Sequence, residues 1–411
     1  MGILKTEILS LLALRRDMNS KEIAEIKKTF KDDRSSISRI CGCYVDGEKN
    51  KVTEFKEAFL ALPEEDLFKY FSIFKKSLSG SLGKNLLNME FPLEEELEGE
   101  KYALLMKLRE TELKDEEVLH AFYDRVIENY DTVDNYLILL IHQAYDIPGK
   151  TSDNIELEDA SDEVFSHILC CICPVSLTKA GLSYFASEGC FRNRVRDWVV
   201  DMPSIGFLFP AFNDRSTDLH SLLYYTAKPD ELRLDFAEPV LGCNIPMSAG
   251  NQRDTFNGVI EEALGEKCDF EVVKNIHEII NNKIEETKEE PEPLELNKHE
   301  VKQILSDSGV ENELLERFDR CYDSQAGEQT PLQATNIVET RKFEIKSPAV
   351  VVKVKPDRTD LVDTRIIDGI PYLTIRIEDM VEVNGIPVNF PGVPMPQSDD
   401  GDGMTEENIE S

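Results

Sequence analysis

The stretch from His167 to Lys228 concentrates the side chains of this sequence that could do chemistry. It contains the only tryptophan, four of the nine cysteines, two of the six histidines and three closely spaced arginines. Six Lys/Arg and five Asp/Glu fall within it, whereas the chain of 411 residues has a formal charge of −34. The stretch is therefore close to neutral, and the acidic character of the chain lies outside it.

Three arginines in this stretch are spaced to form a binding face. Arg192, Arg194 and Arg196 occupy alternate positions, and Trp198 continues the alternation. Alternate side chains of a β-strand point to one face of the sheet, so the pattern predicts a cationic face that includes an aromatic ring. Such a face can bind phosphate and stack a base, and Arg215 could join it. The competing interpretation is a solvent-facing strand whose arginines pair with surplus acidic residues.

A metal site is the second chemical possibility, with His167, Cys170, Cys171 and Cys173 as its candidate ligands. Structural zinc needs four convergent ligands, and paired C-x2-C motifs are its strong signal. The C-C-x-C spacing instead places neighbouring thiols on opposite faces of a strand. Free cysteine is also often buried as a small apolar residue. Core packing is therefore the favoured interpretation, and no cofactor is expected.

Asp214, Asp218 and His220 could form an acid/base set. The run NDRSTD is also typical of a turn followed by a cap, because short polar side chains make local hydrogen bonds. The turn is the favoured interpretation. The sequence contains no HExxH, GxSxG or GxGxxG motif. Their absence argues against the common zinc proteases, serine hydrolases and dinucleotide-binding enzymes.

The order of elements predicts an α+β fold. We expect a short extension (1–17), a helical N-terminal region (18–130) and a central, mostly antiparallel sheet flanked by helices (131–284), with helices returning from Thr217 on. An acidic linker (285–299) separates this part from a helix pair and a small β-rich C-terminal unit (300–390). The acidic tail (391–411) is expected to be disordered.

Composition limits the partners and the compartment. A pI near 4.6 argues against broad attraction to nucleic acid or anionic membranes, although one local basic site remains compatible with it. No apolar run reaches membrane-spanning length. Nine cysteines without regular spacing favour reduced thiols and a cytoplasmic location.

Two family resemblances add to these patterns. The segments from Ser38 to Pro92 and from Ala211 to Tyr225 resemble a bacterial family called domain of unknown function 4317, over residues 18 to about 390. The strand near Tyr136, the Leu241-Gly242-Cys243 run and the β-rich C-terminus also resemble, more weakly, the bacterial nucleoid-associated protein family. That second resemblance implies DNA association without a catalytic centre, and no individual contact residue is transferred from it.

Three functions follow as hypotheses. The first is a non-catalytic, nucleoid-associated-like protein that contacts nucleic acid through the arginine face. The second is a protein-interaction or assembly module, whose acidic helices and linker meet basic partners and whose β-rich C-terminal unit docks. The third is an enzyme or metal protein that uses the Asp/His or Cys/His residues. The sequence leaves the oligomeric state open.

Overall fold

The computed structural model describes residues 17–31, 36–58, 62–150, 156–157, 163–378 and 381–388. Most of the predicted extension and the whole predicted tail lie outside these residues. The fold is α+β, as predicted, with one large antiparallel sheet and several separate β-hairpins. Within the described residues, no helix combines the length and hydrophobicity needed to span a bilayer.

Several helices begin at residues whose side chains cap the first turn. Asn19 and Asn297 each form a capping box with a glutamate three residues later, and Asp115 and Asp269 also accept first-turn N–H groups. The helices are α1 (Ser20–Lys28), α2 (Glu64–Ser77), α3 (Leu93–Glu98), α4 (Glu100–Glu110), α5 (Glu116–Asn129), α6 (Leu234–Phe236, continued by a π-helical turn, Ala237–Leu241), α7 (Ala249–Leu264), α8 (Phe270–Glu286), α9 (Lys298–Asp307), α10 (Asn312–Gln325) and α11 (Ala334–Ile337).

The strands fall into the large sheet and the hairpins. The large sheet contains β1 (Ile37–Val45), β2 (Lys51–Ala58), β3 (Leu86–Glu90), β4 (Asn135–Asp146), β7 (Val164–Leu177), β10 (Trp198–Val200), β11 (Ile205–Phe209) and β14 (Ser221–Thr226). The hairpins pair β5 (Gly149–Lys150) with β6 (Glu156–Leu157), β8 (Leu182–Phe185) with β9 (Cys190–Asn193), β12 (Ala211–Asn213) with β13 (Ser216–Asp218), β17 (Phe343–Lys346) with β18 (Val351–Val354), β19 (Val362–Ile367) with β20 (Ile370–Ile375), and β21 (Val381–Val383) with β22 (Ile386–Val388). A further two-stranded sheet pairs β15 (Glu295–Leu296) with β16 (Leu332–Gln333), which are separated in the chain by α9 and α10.

The central strands of the large sheet are buried on both faces. Its strand order is β2-β1-β4-β7-β11-β14-β3, and β10 pairs with the end of β7. One face packs against α4, α5 and the α6 region, and the other packs against α1 and α2. The central strands can therefore be apolar at every position, which explains the continuous runs NYLILLI and ILCCIC.

A third core, separate from those on the two faces of the sheet, joins the C-terminal helices. Side chains of α7, α8, α9, α10 and α11 form one apolar cluster, together with Leu296 and Leu332 of the paired strands β15 and β16. Leu296 lies within the predicted acidic linker and is buried. Helices on both sides of residues 285–299 thus share one core, although much of that segment is exposed and acidic as its composition indicates.

Two details differ from the sequence-based expectation. The N-terminal region is rich in helix, but it also supplies β1, β2 and β3 to the large sheet. The expectation that helices return from Thr217 was wrong, because the next residues form β13 and the buried strand β14. The run SLLYYT is apolar enough to be central, and six residues suit a strand better than a helix.

We expect Gly206→Ala to destabilise the sheet, because a Cβ at Gly206 would lie 2.6 Å from the backbone oxygen of Cys170 on β7. Overpacking of this kind lowers the free energy of unfolding by about 1–3 kcal/mol, measurable by urea denaturation. Gly181→Ala is the matched control, since nothing lies within 4 Å of its added Cβ. Equal stability of the two variants would contradict this packing.

Candidate interaction surfaces

The predicted arginine face is divided between two elements. Arg192 lies on β9, residues 194–197 lie outside any strand, and Trp198 begins β10. The expected single strand is interrupted because this segment leaves the β8–β9 hairpin and joins the end of β7. The Arg194 backbone N–H donates to the Gly181 backbone oxygen. The Thr178 backbone N–H donates to the Asp197 backbone oxygen, and the Asp197 backbone N–H donates to the Thr178 hydroxyl.

The three arginines remain exposed but differ in their partners. Arg192 forms an ion pair with Glu188. The Arg194 Nε donates to the Ser183 hydroxyl at 3.1 Å. The Arg196 Nε donates to the backbone oxygen of Thr178 at 2.8 Å. Within the described part of the chain neither of the latter two is paired with a carboxylate, so both keep N–H groups for an external acceptor.

Arg215 does not join this group. Its guanidinium pairs with Glu25 of α1 at 2.8 Å and also donates to the backbone oxygen of Pro148. Asp214 and Arg215 form the left-handed turn between β12 and β13, with φ of 49° and 56°. Arg215 therefore fixes the position of α1 against this turn, and its guanidinium is committed within the chain.

The candidate acid/base residues follow the turn interpretation. The Asp218 carboxylate accepts from the side chains of Asn213 and Ser221 and from the His220 backbone N–H. The His220 imidazole pairs instead with Glu96 of α3, at 2.8 Å between Nδ1 and Oε2. Asp218 thus organises the hairpin, and the structure does not bring the Asp218 carboxylate and the His220 ring together as a pair.

The candidate metal ligands are dispersed through the core. Cys170 belongs to the core on one face of the sheet, and Cys171 and Cys173 belong to the core on the other. Burial raises the pKa of Cys171 to about 12 and those of the other two thiols well above their usual range, so they stay protonated and poor ligands. Among the described residues, no group of three or more His, Cys, Asp or Glu side chains could hold a metal.

His167 is a neutral core residue. It is 0% exposed and stacks on Phe165, with ring centroids 4.5 Å apart. Burial lowers its pKa to about 3. Its Nε2 atom has no hydrogen-bond partner, which is an energetic cost within the sheet.

The sequence patterns missed the apolar side chains around the arginines. Leu182, Tyr184 and Phe191 share one face of the β8–β9 hairpin and are exposed, Phe191 by 70%. Trp198 is 56% exposed beside them in the chain. We call the exposed apolar side chains of this region the central hairpin surface: Leu182, Tyr184, Phe191, Val195, Trp198, Val199, Val200 and Met202.

A second group of exposed apolar side chains lies in the C-terminal hairpins. The β17–β18 hairpin packs on α8, where the Phe343 ring meets Phe270 and His277 edge to face. Most of the described residues in the hairpins that follow are exposed. We define the C-terminal hairpin surface as the exposed apolar side chains of these later hairpins together with those at the turn of the β17–β18 hairpin. Its residues are Val350, Val351, Ile366, Ile367, Ile370, Tyr372, Leu373, Ile375, Ile377, Val383 and Ile386.

Together these two surfaces hold 19 of the 26 large apolar side chains that are exposed among the described residues. Alternation of apolar and polar residues in these strands was the available signal. Alternation indicates that the two faces of a strand differ, but it does not say whether the apolar face of a hairpin is covered. Concentrated apolar exposure of this kind is typical of interaction sites.

An acidic cavity lies apart from both surfaces. Its volume is about 670 Å³, and it lies between β3 and the paired strands β15 and β16. The carboxylates of Asp17, Glu90, Glu292 and Glu295 line it, so it disfavours phosphate groups. The arginines of the central hairpin region are therefore a more suitable contact for nucleic acid than this cavity.

A family model described as a domain of unknown function (DUF4317) matches residues 18–386. The chain belongs to this family. The match confirms the first resemblance, whereas the resemblance to nucleoid-associated proteins receives no support from the comparisons. No curated protein matches the chain.

We expect His167→Phe to reduce the loss of stability in acid. Between about pH 6.5 and 3, the unfolded chain binds a proton at this histidine and the folded chain does not, so stability falls as pH falls. Phenylalanine removes a contribution of up to about 1.4 kcal/mol per pH unit in this window. Urea denaturation of both proteins at pH 6.5, 5.5 and 4.5 measures the difference, and parallel profiles would contradict a neutral His167.

Proposed function

We propose that this protein is a non-catalytic assembly protein that binds other polypeptides through its central and C-terminal hairpin surfaces. One observation carries the proposal: the exposed apolar side chains concentrate on these two surfaces instead of being scattered. Single exposed apolar residues scattered over a monomer are normal, whereas many of them in a few short segments are typical of regions that become buried in a complex.

The distribution of charge supports the same function. Residues 167–228 are nearly neutral, and residues 341–388 contain eight Lys/Arg and eight Asp/Glu. The acidic excess of the chain therefore lies outside both regions. A neutral patch can approach a partner without the repulsion that the remaining surface would exert on another acidic protein. The acidic helices and the segment 285–299 would instead meet basic partners.

A second candidate function is contact with nucleic acid at the central hairpin surface. Arg194 and Arg196 favour it, because they are exposed and retain donors, and Trp198 offers a ring for stacking. Arg192 contributes less, since Glu188 already pairs with it. The acidic charge of the chain as a whole opposes this function.

The cytoplasm is the proposed location. All nine cysteines are free thiols, and most of them are buried in the cores. Free thiols in this number suit a reducing compartment.

Replacing Tyr184 and Phe191 by serine should weaken partner binding. Buried aromatic anchors dominate protein interfaces, so the double change should reduce co-purification from a nuclease-treated native lysate by roughly tenfold or more. Val133→Ser is the control, because Val133 is 89% exposed and lies outside both surfaces. If the double variant retains the same partners in the same amounts as the control, these aromatic residues are not a docking site.

Replacing Arg194 and Arg196 by alanine tests the second candidate. If nucleic acid binds here, the wild-type protein should shift a single-stranded oligonucleotide at low salt, and the double variant should bind more weakly with a smaller salt dependence. Arg317→Ala with Arg320→Ala, on the exposed side of α10, is the charge-matched control. Absence of a wild-type shift, or equal loss in both double variants, would exclude a specific contact at this surface.

A further inference from the structure

The β19–β20 hairpin projects from the chain with little cover. Val362, at the start of β19, is buried, and the remaining five residues of that strand are exposed. Ile366 is 79% exposed. A two-stranded hairpin is marginally stable in water, and a third strand or an apolar cover is normally required. The hairpin is therefore incomplete as a β-structure.

The alternation of hydrogen-bonded and non-hydrogen-bonded residue pairs along the hairpin determines which edge can accept another strand. Asp368 and Gly369 form a two-residue turn with φ of 51° and 78°, typical of type I′. Such a turn makes Ile367 and Ile370 a hydrogen-bonded pair. The Arg376 N–H donates to the Leu361 oxygen at 2.7 Å, which fits the same alternation at the other end of the hairpin.

This alternation leaves the outer edge of β19 able to pair with another strand and makes the outer edge of β20 a poorer one. Pro371 lies opposite Ile366 in a pair without mutual hydrogen bonds, so its nitrogen faces the outer edge of β20. Proline has no N–H, and β20 therefore lacks a donor at this point of its outer edge. The outer edge of β19 contains no proline, and Thr364 and Ile366 direct their backbone groups toward it. No other strand in the described part of the chain pairs with that edge.

The residues along β19 are complementary to a second copy of the same strand. In an antiparallel pair related by a two-fold axis at Thr364, Asp363 lies opposite Arg365 of the other copy, and the symmetry repeats this pair. Within one chain these two groups are exposed and lie 3.5 Å apart. The register thus gives two cross-strand ion pairs and leaves no like charges opposite each other at these positions.

We propose that β19 pairs antiparallel with β19 of a second copy, with the two-fold axis at Thr364. The inference rests on the proposed assembly function and names the occupant of the C-terminal hairpin surface. Two hairpins then form one four-stranded sheet. The balanced charge of residues 341–388 allows two chains of net charge −34 to meet here.

A cysteine at the proposed axis tests the register. In purified full-length protein, Thr364→Cys should form an intermolecular disulfide on mild oxidation, because opposite Cα atoms in such a pair lie about 5.5 Å apart. Thr374→Cys is the matched control, since its copies would be separated by three strand spacings, about 14 Å. The wild-type protein controls for Cys268, which is exposed. Equal cross-linking of both variants would overturn the register.

A charge swap tests the complementarity. The wild-type protein should sediment at about twice its chain mass of 46.8 kDa. Asp363→Arg or Arg365→Asp alone places like charges opposite each other and should raise the dimer dissociation constant by about tenfold or more. The double variant Asp363→Arg with Arg365→Asp restores opposite charges and should recover dimerisation.

The outcomes separate this inference from the function on which it rests. A monomeric wild-type protein without Thr364→Cys cross-linking overturns the strand pairing, even if lysate complexes still depend on Tyr184 and Phe191. A double variant that stays as weak as the single variants also overturns it. Conversely, if the protein dimerises but the Tyr184 and Phe191 double variant co-purifies the same partners as its control, the central hairpin surface is excluded as a docking site. The β19 pairing is then retained.

Discussion

Burial of β4 and β7 on both faces is the constraint on which the rest of the structure depends. These strands are apolar at nearly every position, so two layers of helices must cover them. The covering helices come from the N-terminal region and from the α6 region that follows β14. Strands β1, β2 and β3 also come from the N-terminal region, and they extend the sheet beyond β4 on one side and beyond β14 on the other. The N-terminal region is therefore part of the central unit.

The same constraint explains why the candidate metal ligands and acid/base residues do not form a reactive site. His167, Cys170, Cys171 and Cys173 lie on the strand that both cores share, and their polar atoms are the minority in an apolar layer. Desolvation keeps the imidazole neutral and the thiols protonated. Arg215 and His220 lie at the rim of the sheet, where Glu25 and Glu96 hold them to neighbouring helices. These polar residues fasten helices to the sheet.

The apolar side chains that the cores leave exposed lie mostly on β10 and on the hairpins outside the large sheet. This separation produces a molecule with an acidic exterior and two neutral apolar projections. The acidic exterior limits nonspecific association, whereas the projections remain able to approach a partner closely. Assembly through hairpins of this kind would use backbone pairing for affinity and side chains such as Asp363 and Arg365 for register.

The sequence by itself determined the α+β class, the long strands β4 and β7 and the NDRSTD turn, because each depends on local periodicity or local hydrogen bonding. It also predicted core cysteines from their spacing. Only the tertiary structure decided that β14 is a strand and that helices on both sides of residues 285–299 share a core. It also decided that the arginine segment breaks between β9 and β10. These outcomes depend on which segments meet across long sequence separations. Alternation along a strand indicates that two faces differ, but the packing of distant elements decides which face is covered.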